Sequence, residues 1–273
     1  TAGLAYPPQW SNWDAVIADA KALTQVGSDG VMTVAGLHYT NSDQLFTYFL
    51  AGILEQGSNY FAEDGQHFNF NSPEAVATIQ KLIDMAQTDK VVDPIIFNAE
   101  SEWVGESFAQ GHNGIGILGS WYVGDAKIGY PDLTFDYVAL PPFMGSTHKF
   151  ASVGGWGYVV SQSTTQPEMA WKLAAFLGAD QANVYNFNST TATIPALKAV
   201  AADPKLLEAA PHMASVLPIL DAGQYQGNLT DPDQLAYEIV YPTILAAVQG
   251  AQTAEEAANS IHEAANAMVD AAK

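Results

Sequence analysis

Few segments of this chain can be buried strands, and those few lie far apart. Residues 31–36 (VMTVAG) are short, apolar and rich in β-branched side chains, the pattern of a strand covered on both faces. The next such run is Gly114-Ile115-Gly116-Ile117-Leu118-Gly119. Helical signals fill the interval. A helix is predicted from Ser42 or Asp43, with Leu45, Phe46, Phe49 and Ile53 on its apolar face and Gly57 as its stop. Ser72-Pro73-Glu74 supplies a cap, a proline at the first helical position and an early acid. Val76, Ile79, Leu82, Ile83 and Ala86 carry that helix on, and a shorter one over 101–110 aligns Val104 with Phe108.

The flanks follow the same logic. Residues 1–9 read as a loop. Ser11, three residues ahead of Asp14, makes a start like a capping box for a helix through Trp13, Val16, Ile17, Ala20 and Leu23. A short helix is expected after Ser120-Trp121, a strand over 135–140 ended by Pro141-Pro142, and a strand-like run over 150–161 interrupted by Gly-Gly-Trp-Gly. Beyond Pro167 only helices are predicted. Met169, Ala170, Leu173, Phe176 and Leu177 form one face, and further segments cover 180–188, 195–202, 204–209, 211–220, 231–249 and 253–271. Strands and helices to about residue 160, then helices alone, describe an α/β layer with a helical tail. The strands are too few and too widely spaced for a barrel of repeated strand–helix units.

Charge narrows the function. The chain of 273 residues carries 29 Asp and Glu against nine basic residues, all lysine, for a net charge of −20. Scattered lysines cannot replace the counterions of a phosphate backbone or hold an anionic membrane, so nucleic acid is excluded as a partner. Without arginine there is no guanidinium fork for a carboxylate or phosphate ligand. There is no cysteine, hence no disulfide or thiolate metal site. The six histidines (38, 67, 112, 148, 212 and 262) include no pair at a metal-ligand spacing on a helix, so no metal and no cofactor are expected. Gly114-x-Gly116-x-x-Gly119 spells a dinucleotide fingerprint, but its glycines lie within the apolar strand rather than in a strand-to-helix turn. No nucleophile elbow or phosphate loop occurs, and no acid is marked as one of a converging pair. No catalytic residue is therefore assigned, and a binding protein is expected.

The informative stretch runs from Glu102-Trp103 through Phe108 and Gly111 to Gly114–Gly119 and Ser120-Trp121. It ends with a large aromatic at a strand terminus beside backbone amides, the make-up of a ligand crevice. An indole face can stack on the C–H face of a sugar ring. This stretch resembles the extracellular solute-binding proteins of ABC importers, in the branch that includes maltose-binding proteins. Four other places agree: Pro8-x-Trp10-x-x-Trp13-x-x-Val16 with Ala20 and Leu23; Gly154-Gly155-Trp156-Gly157-Tyr158-Val159-Val160-Ser161; Pro167-Glu168-x-Ala170-Trp171-Lys172 with Phe176-Leu177; and Gln252-Thr253-x-Glu255-Glu256-Ala257.

The resemblance implies an α/β, periplasmic-binding-protein-like fold of type II. It begins about 100 residues into the family's chain, which implies a fragment lacking the signal or lipid anchor and much of lobe one. Residues 30–155 would form lobe two, 1–29 a helix near the lobe crossover, and 156–273 a mainly helical segment that braces the hinge and completes the first lobe. Uncovered core faces on those helices imply a fragment that is oligomeric or cut from a longer chain. The implied function is the extracytoplasmic binding of a neutral mono- or oligosaccharide for delivery to the transmembrane permease subunits of an ABC importer. A polyol or other small polar solute, or a carbohydrate-active enzyme, remains the alternative.

Candidate ligand contacts follow, each beside a plainer role. Trp121 and Trp156 are stacking aromatics or packing residues. Gly155, with Gly154, offers an amide or hinge flexibility. Asp43 and Gln44 match a contact position at a helix start, where Asp43 could also be an ordinary N-cap. His38 and Tyr39 lie at the crevice end of the 31–36 strand, Ser120 and Tyr122 border Trp121, and Tyr225, Gln226 and Asn228 share a polar loop. Trp10, Trp13, Trp103 and Trp171 are expected to pack.

Overall fold

The computed structural model describes residues 2–38, 42–94, 103–152 and 157–272, the side chains of residues 42, 43 and 152 excepted. The chain divides into two units: Thr1–Ile117 with Leu140–Val153 and Asp221–Lys273, and Leu118–Ala139 with Gly154–Leu220. It passes from one unit to the other four times, at 117/118, 139/140, 153/154 and 220/221.

In the first unit, the strand expected at 31–36 forms as β2 (Met32–His38), between β1 (Gln25–Val26) and β3 (Asn113–Gly116). β1 is antiparallel to β2, whereas β2 and β3 are parallel, with Ala35 opposite Asn113 and Leu37 opposite Ile115. A parallel pair needs a long crossover, and the helices Ser42–Glu55, Pro73–Gln87 and Val104–Ala109 supply it. β2 becomes wholly buried from Ala35 to His38. There the Trp13–Leu23 helix comes so close that a Cβ on Gly36 would lie 1.9 Å from the Ala20 carbonyl oxygen.

The unit's main core is helical. Leu45, Phe49, Leu50 and Ile53 of one helix meet Ile79, Leu82 and Ile83 of the next, with Ile244, Ala247 and Val248 from Tyr241–Val248 and Ala257, Ile261 and Ala265 from Ala254–Ala271. Local chemistry sets the ends of these helices. Ser72 Oγ accepts from Ala75 N at 3.2 Å with Pro73 in the first turn, and Thr253 and Glu256 form a reciprocal capping box. Because the Ser72 cap is buried, Ser72→Ala is expected to cost about 1–2 kcal/mol in urea unfolding. A loss below about 0.3 kcal/mol would show that the cap is not needed.

Several elements differ from expectation. The first helix is capped by Asn12, whose Oδ1 accepts from Ala15 N at 3.0 Å, and not by Ser11. The predicted 231–249 helix divides into a π-helix, Gln234–Val240, and the α-helix Tyr241–Val248. Pro242 has no N–H for the α-helical ladder, which widens just before it. Residues 135–140 join no sheet. Instead Tyr137 donates its hydroxyl to the Leu118 carbonyl at 3.1 Å, and Ser215 Oγ accepts from Ala139 N at 3.2 Å. Among the described residues of the strand-like run at 150–161, Phe150–Ser152 form β4 and residues 157–161 join no strand. The helical tail also contains a strand, β5 (Gly223–Tyr225), parallel to β4.

The second unit holds helices Tyr122–Gly129, Pro167–Gly178, Gln181–Thr191, Lys198–Ala201, Pro204–Ala209 and Met213–Val216. Its small core is Leu206, Ala210, Met213 and Val216, flanked by Tyr137, Ala139, Tyr185 and Leu217. Pro167–Gly178 buries none of its residues. Met169, Trp171, Leu173 and Phe176, expected to pack, are all more than half exposed.

Candidate functional site

In the first unit the parallel pair β2–β3 is extended by one more bond, from Ile117 N to the His38 carbonyl at 3.0 Å. Gln44, in the first turn of Ser42–Glu55, then donates Nε2 to the Ile117 carbonyl at 2.9 Å. His38 and Gln44 thus meet around Ile117 at the carboxyl end of the strands, the edge where open α/β sheets take ligands. The His38 ring is buried. Its Nδ1 lies 3.5 Å from Asn113 Nδ2, which also donates to Ser107 Oγ at 3.0 Å. Asn113 and Ser107 were not singled out from sequence. The signal was a polar residue directly ahead of an apolar run, which needs partners when buried.

Of the three residues expected in one polar loop, Tyr225 ends β5, and Gln226 and Asn228 follow it. Tyr225 is 72% exposed, and its hydroxyl donates to Asn228 Oδ1 at 2.9 Å. The Gln226 carbonyl accepts from the hydroxyl of buried Tyr60 at 2.8 Å. Burial raises the pKa of that phenol above its ordinary value, so it remains a donor. Tyr225 and Asn228 are a coupled exposed pair, and Gln226 contributes the backbone anchor.

In the second unit, Ser120, Trp121 and Tyr122 share one turn. It leads straight into the helix: Tyr122 N bonds to Gly119 O at 3.1 Å, and the Ser120 and Trp121 carbonyls accept from Val123 N at 3.1 Å and Gly124 N at 3.0 Å. Ser120 and Tyr122 are buried, while Trp121 is 37% exposed. The Tyr122 ring stands edge-on to the indole, with centroids 6.4 Å apart, and tilts against Phe135 at 5.8 Å. Burial pushes the Tyr122 hydroxyl up to about 12 and does the same to Tyr137. His212, edge-on to Tyr137 at 5.7 Å, is held below its ordinary pKa by burial. The Trp121 indole therefore stands part-exposed beside the buried, protonated Tyr122 ring, with Asp125 one turn further along the same helix.

Tyr39, Gly154, Gly155, Trp156 and the side chain of Asp43 lie outside the described residues. Of the tryptophans expected to pack, Trp13 is buried edge-on to Phe143 at 4.9 Å, and Trp10 donates Nε1 to Asp19 at 2.8 Å. Trp103 and Trp171 are exposed. Trp103 precedes its helix as the N-cap residue, and Trp171 belongs to a helix without a buried face. Among the described residues no cluster of three or more His, Asp or Glu could hold a metal ion, and no helix is long and apolar enough to cross a membrane.

The sequence pattern of bacterial extracellular solute-binding proteins matches residues 1–184. The chain belongs to this family. Membership places this solute-binding protein outside the cytoplasm and in a family of transport proteins rather than enzymes. No curated protein matches it in sequence. Among solved structures it is similar to maltose-bound MalE3 of T. maritima, at 22% identity and a TM-score of 0.74, over 96% of this chain and 66% of that one. It is also similar to a solute-binding protein of Thermotoga lettingae bound with α-D-tagatose, at 18% identity and 0.80, over 98% and 67%. A third is UgpB of Mycobacterium tuberculosis in complex with glycerophosphocholine, at 15% identity and 0.74, over 99% and 66%. These likenesses show the fold, the type II periplasmic-binding-protein α/β fold. The chain spans about two thirds of the length of these relatives.

Proposed function

We propose that this solute-binding protein is the substrate-binding component of an ABC importer, that it takes up a neutral mono- or oligosaccharide reversibly, and that it does no chemistry on it. The observation that carries this reading is the part-exposed Trp121 indole, edge-on to buried Tyr122 at the start of a helix. Such a ring offers a hydroxyl-rich guest a flat apolar face. The absence of arginine removes the usual fork for a charged guest. Relatives holding maltose and tagatose support the sugar class. Within the first unit, Tyr225 and Asn228 are proposed as an exposed polar pair able to meet a hydroxyl, with Gln226 fixing their segment. Gln44 and His38 order the strand ends, and Ser120 and Tyr122 form the floor under Trp121. Uptake would proceed by closure around the guest, with the closed form recognised by the permease subunits.

Tryptophan fluorescence titration against maltose, maltotriose, tagatose and a series of polyols tests the reading. A saturable change with sugar recovered unaltered is expected, and Trp121→Ala is expected to weaken it by about tenfold or more, or about 1.4 kcal/mol. Saturation by polyols alone would change the ligand class, and product formation would make the protein an enzyme. No saturation by any sugar would remove the proposal. The bare face of Pro167–Gly178 supports association of the 273-residue chain, which light scattering reads directly. A monomeric mass would speak against it.

A further inference from the structure

We infer that Gly227 is a positioning residue for the exposed pair Tyr225 and Asn228, and that it acts through its backbone torsion. The inference rests on the proposed sugar contact of that pair and adds what gives the pair its shape. Gly227 lies between the two and has φ +90°, a conformation that residues with a Cβ rarely adopt. Space is closed as well. A Cβ built on Gly227 would lie 2.4 Å from Phe61 Cε2 and 2.7 Å from Cζ. Two separate constraints therefore select glycine, and they differ in what relieves them. Displacement of the Phe61 ring would make room for a methyl group. No movement of a neighbour relieves the torsion.

The surrounding contacts show why the torsion matters to the pair. The Gln226 carbonyl is held by the Tyr60 hydroxyl at 2.8 Å, so the consecutive residues Tyr60 and Phe61 meet the consecutive residues Gln226 and Gly227. Phe61 is itself fixed: its ring is stacked on Phe68 at 5.3 Å, and its amide donates to Asn59 Oδ1 at 3.0 Å. On one side of Gly227, Tyr225 is paired with Ser152 in the β4–β5 ladder. On the other, Leu229 packs on the main core. The segment is thus tied at 225, 226 and 229, and the left-handed torsion of Gly227 sets the direction in which Asn228 leaves the anchored part. Taking φ out of the positive region redirects the chain at Asn228. Tyr225 Oη and Asn228 Oδ1, bonded at 2.9 Å, are then no longer aimed at each other. A polar pair serves a guest hydroxyl best when its geometry is set before the guest arrives.

The test compares the parent chain with Gly227→Ala, Gly227→Asn, Asn228→Ala and the double variant of Gly227→Ala with Asn228→Ala, without ligand and then with maltose and tagatose. Asparagine fills more space than alanine yet tolerates a left-handed backbone, so the two substitutions at 227 separate torsion from space. Without sugar, the nuclear Overhauser contact between the Asn228 side-chain amide and the Tyr225 ring is expected in the parent, lost in Gly227→Ala and kept in Gly227→Asn. With sugar, Gly227→Ala and Asn228→Ala are each expected to weaken affinity by about three- to tenfold. Gly227→Asn should stay within about twofold of the parent, and the double variant should bind no more weakly than Asn228→Ala. A contact that persists in Gly227→Ala, or is absent from the parent, overturns the inference. So do additive losses in the double variant, and a loss in Gly227→Asn equal to that in Gly227→Ala, which would make space the cause. If Asn228→Ala binds sugar like the parent, or the parent binds none, it is the proposed sugar contact that fails, and the ligand-free spectra still decide whether Gly227 sets the pair.

Discussion

Gly36→Val is expected to abolish stable folding of the first unit, with a loss above about 3 kcal/mol, beyond the usual cost of overpacking a core. A Cβ at this position would meet the Ala20 carbonyl oxygen at 1.9 Å, its carbon at 2.5 Å and Thr24 Oγ1 at 2.5 Å. None of these can move cheaply. The Ala20 carbonyl accepts from both Thr24 N and Thr24 Oγ1 at 2.9 Å, so it is fixed at the end of the Trp13–Leu23 helix. The alternative is to move β2, whose neighbours Ala35 and Leu37 are paired with β3. Either movement opens the junction on which His38, Ile117 and Gln44 converge. Urea unfolding followed by circular dichroism measures the effect. Gly129→Ala is the control: it is exposed, with nothing within 4 Å of the added carbon, and should change stability by less than about 0.5 kcal/mol. A Gly36→Val chain that unfolds at the parent's urea midpoint would show that the helix does not press on the strand.

The contrast between those two glycines marks what can be read from a sequence. Features written in one short stretch were legible. Ser72-Pro73-Glu74 names its own helix start, and Thr253 with Glu256 does the same, because cap and first turn are neighbours in the chain. The strand at β2 was legible from its β-branched run. β5 was not: Gly223-Gln224-Tyr225 has no apolar alternation, and it is a strand only because Phe150–Ser152 lies beside it. Residues 135–140 show the converse. Phe135, Tyr137 and Ala139 alternate like a strand, yet they are held by the Tyr122 ring, the Leu118 carbonyl and Ser215. The site followed the same division. An aromatic following an apolar strand suggested Trp121, and the family resemblance at a helix start suggested Gln44. That Gln44 holds a strand carbonyl, that His38 is sealed against Asn113, and that Gly227 lies against Phe61 all depend on contacts between distant segments or on side-chain rotamers.

A second large loss is expected on truncating Phe70. Its ring is fully buried, stacked on Phe68 at 4.7 Å with 6° between planes, and tilted against Phe49 at 5.1 Å. Phe68 stacks in turn on Phe61 at 5.3 Å, and Phe61 lies 5.1 Å from Tyr60. The row is held to the C-terminal helix by Asn266, which accepts from Phe68 N at 2.7 Å and donates to Phe68 O at 3.1 Å. Little around such a ring can collapse inward, so Phe70→Ala should cost about 3–5 kcal/mol, whereas Phe70→Leu, which keeps most of the volume, should cost less than about 1.5–2 kcal/mol. The damage should also travel outward. Tyr60 ends the aromatic row and holds the Gln226 carbonyl at 2.8 Å, so loosening the row frees the loop that carries Tyr225 and Asn228. Hydrogen exchange should therefore speed up over residues 225–228 in Phe70→Ala before the chain unfolds globally, and not in Phe70→Leu. If exchange in that loop stays at the parent rate while stability falls, the aromatic row supports the core alone and the loop is anchored independently of it.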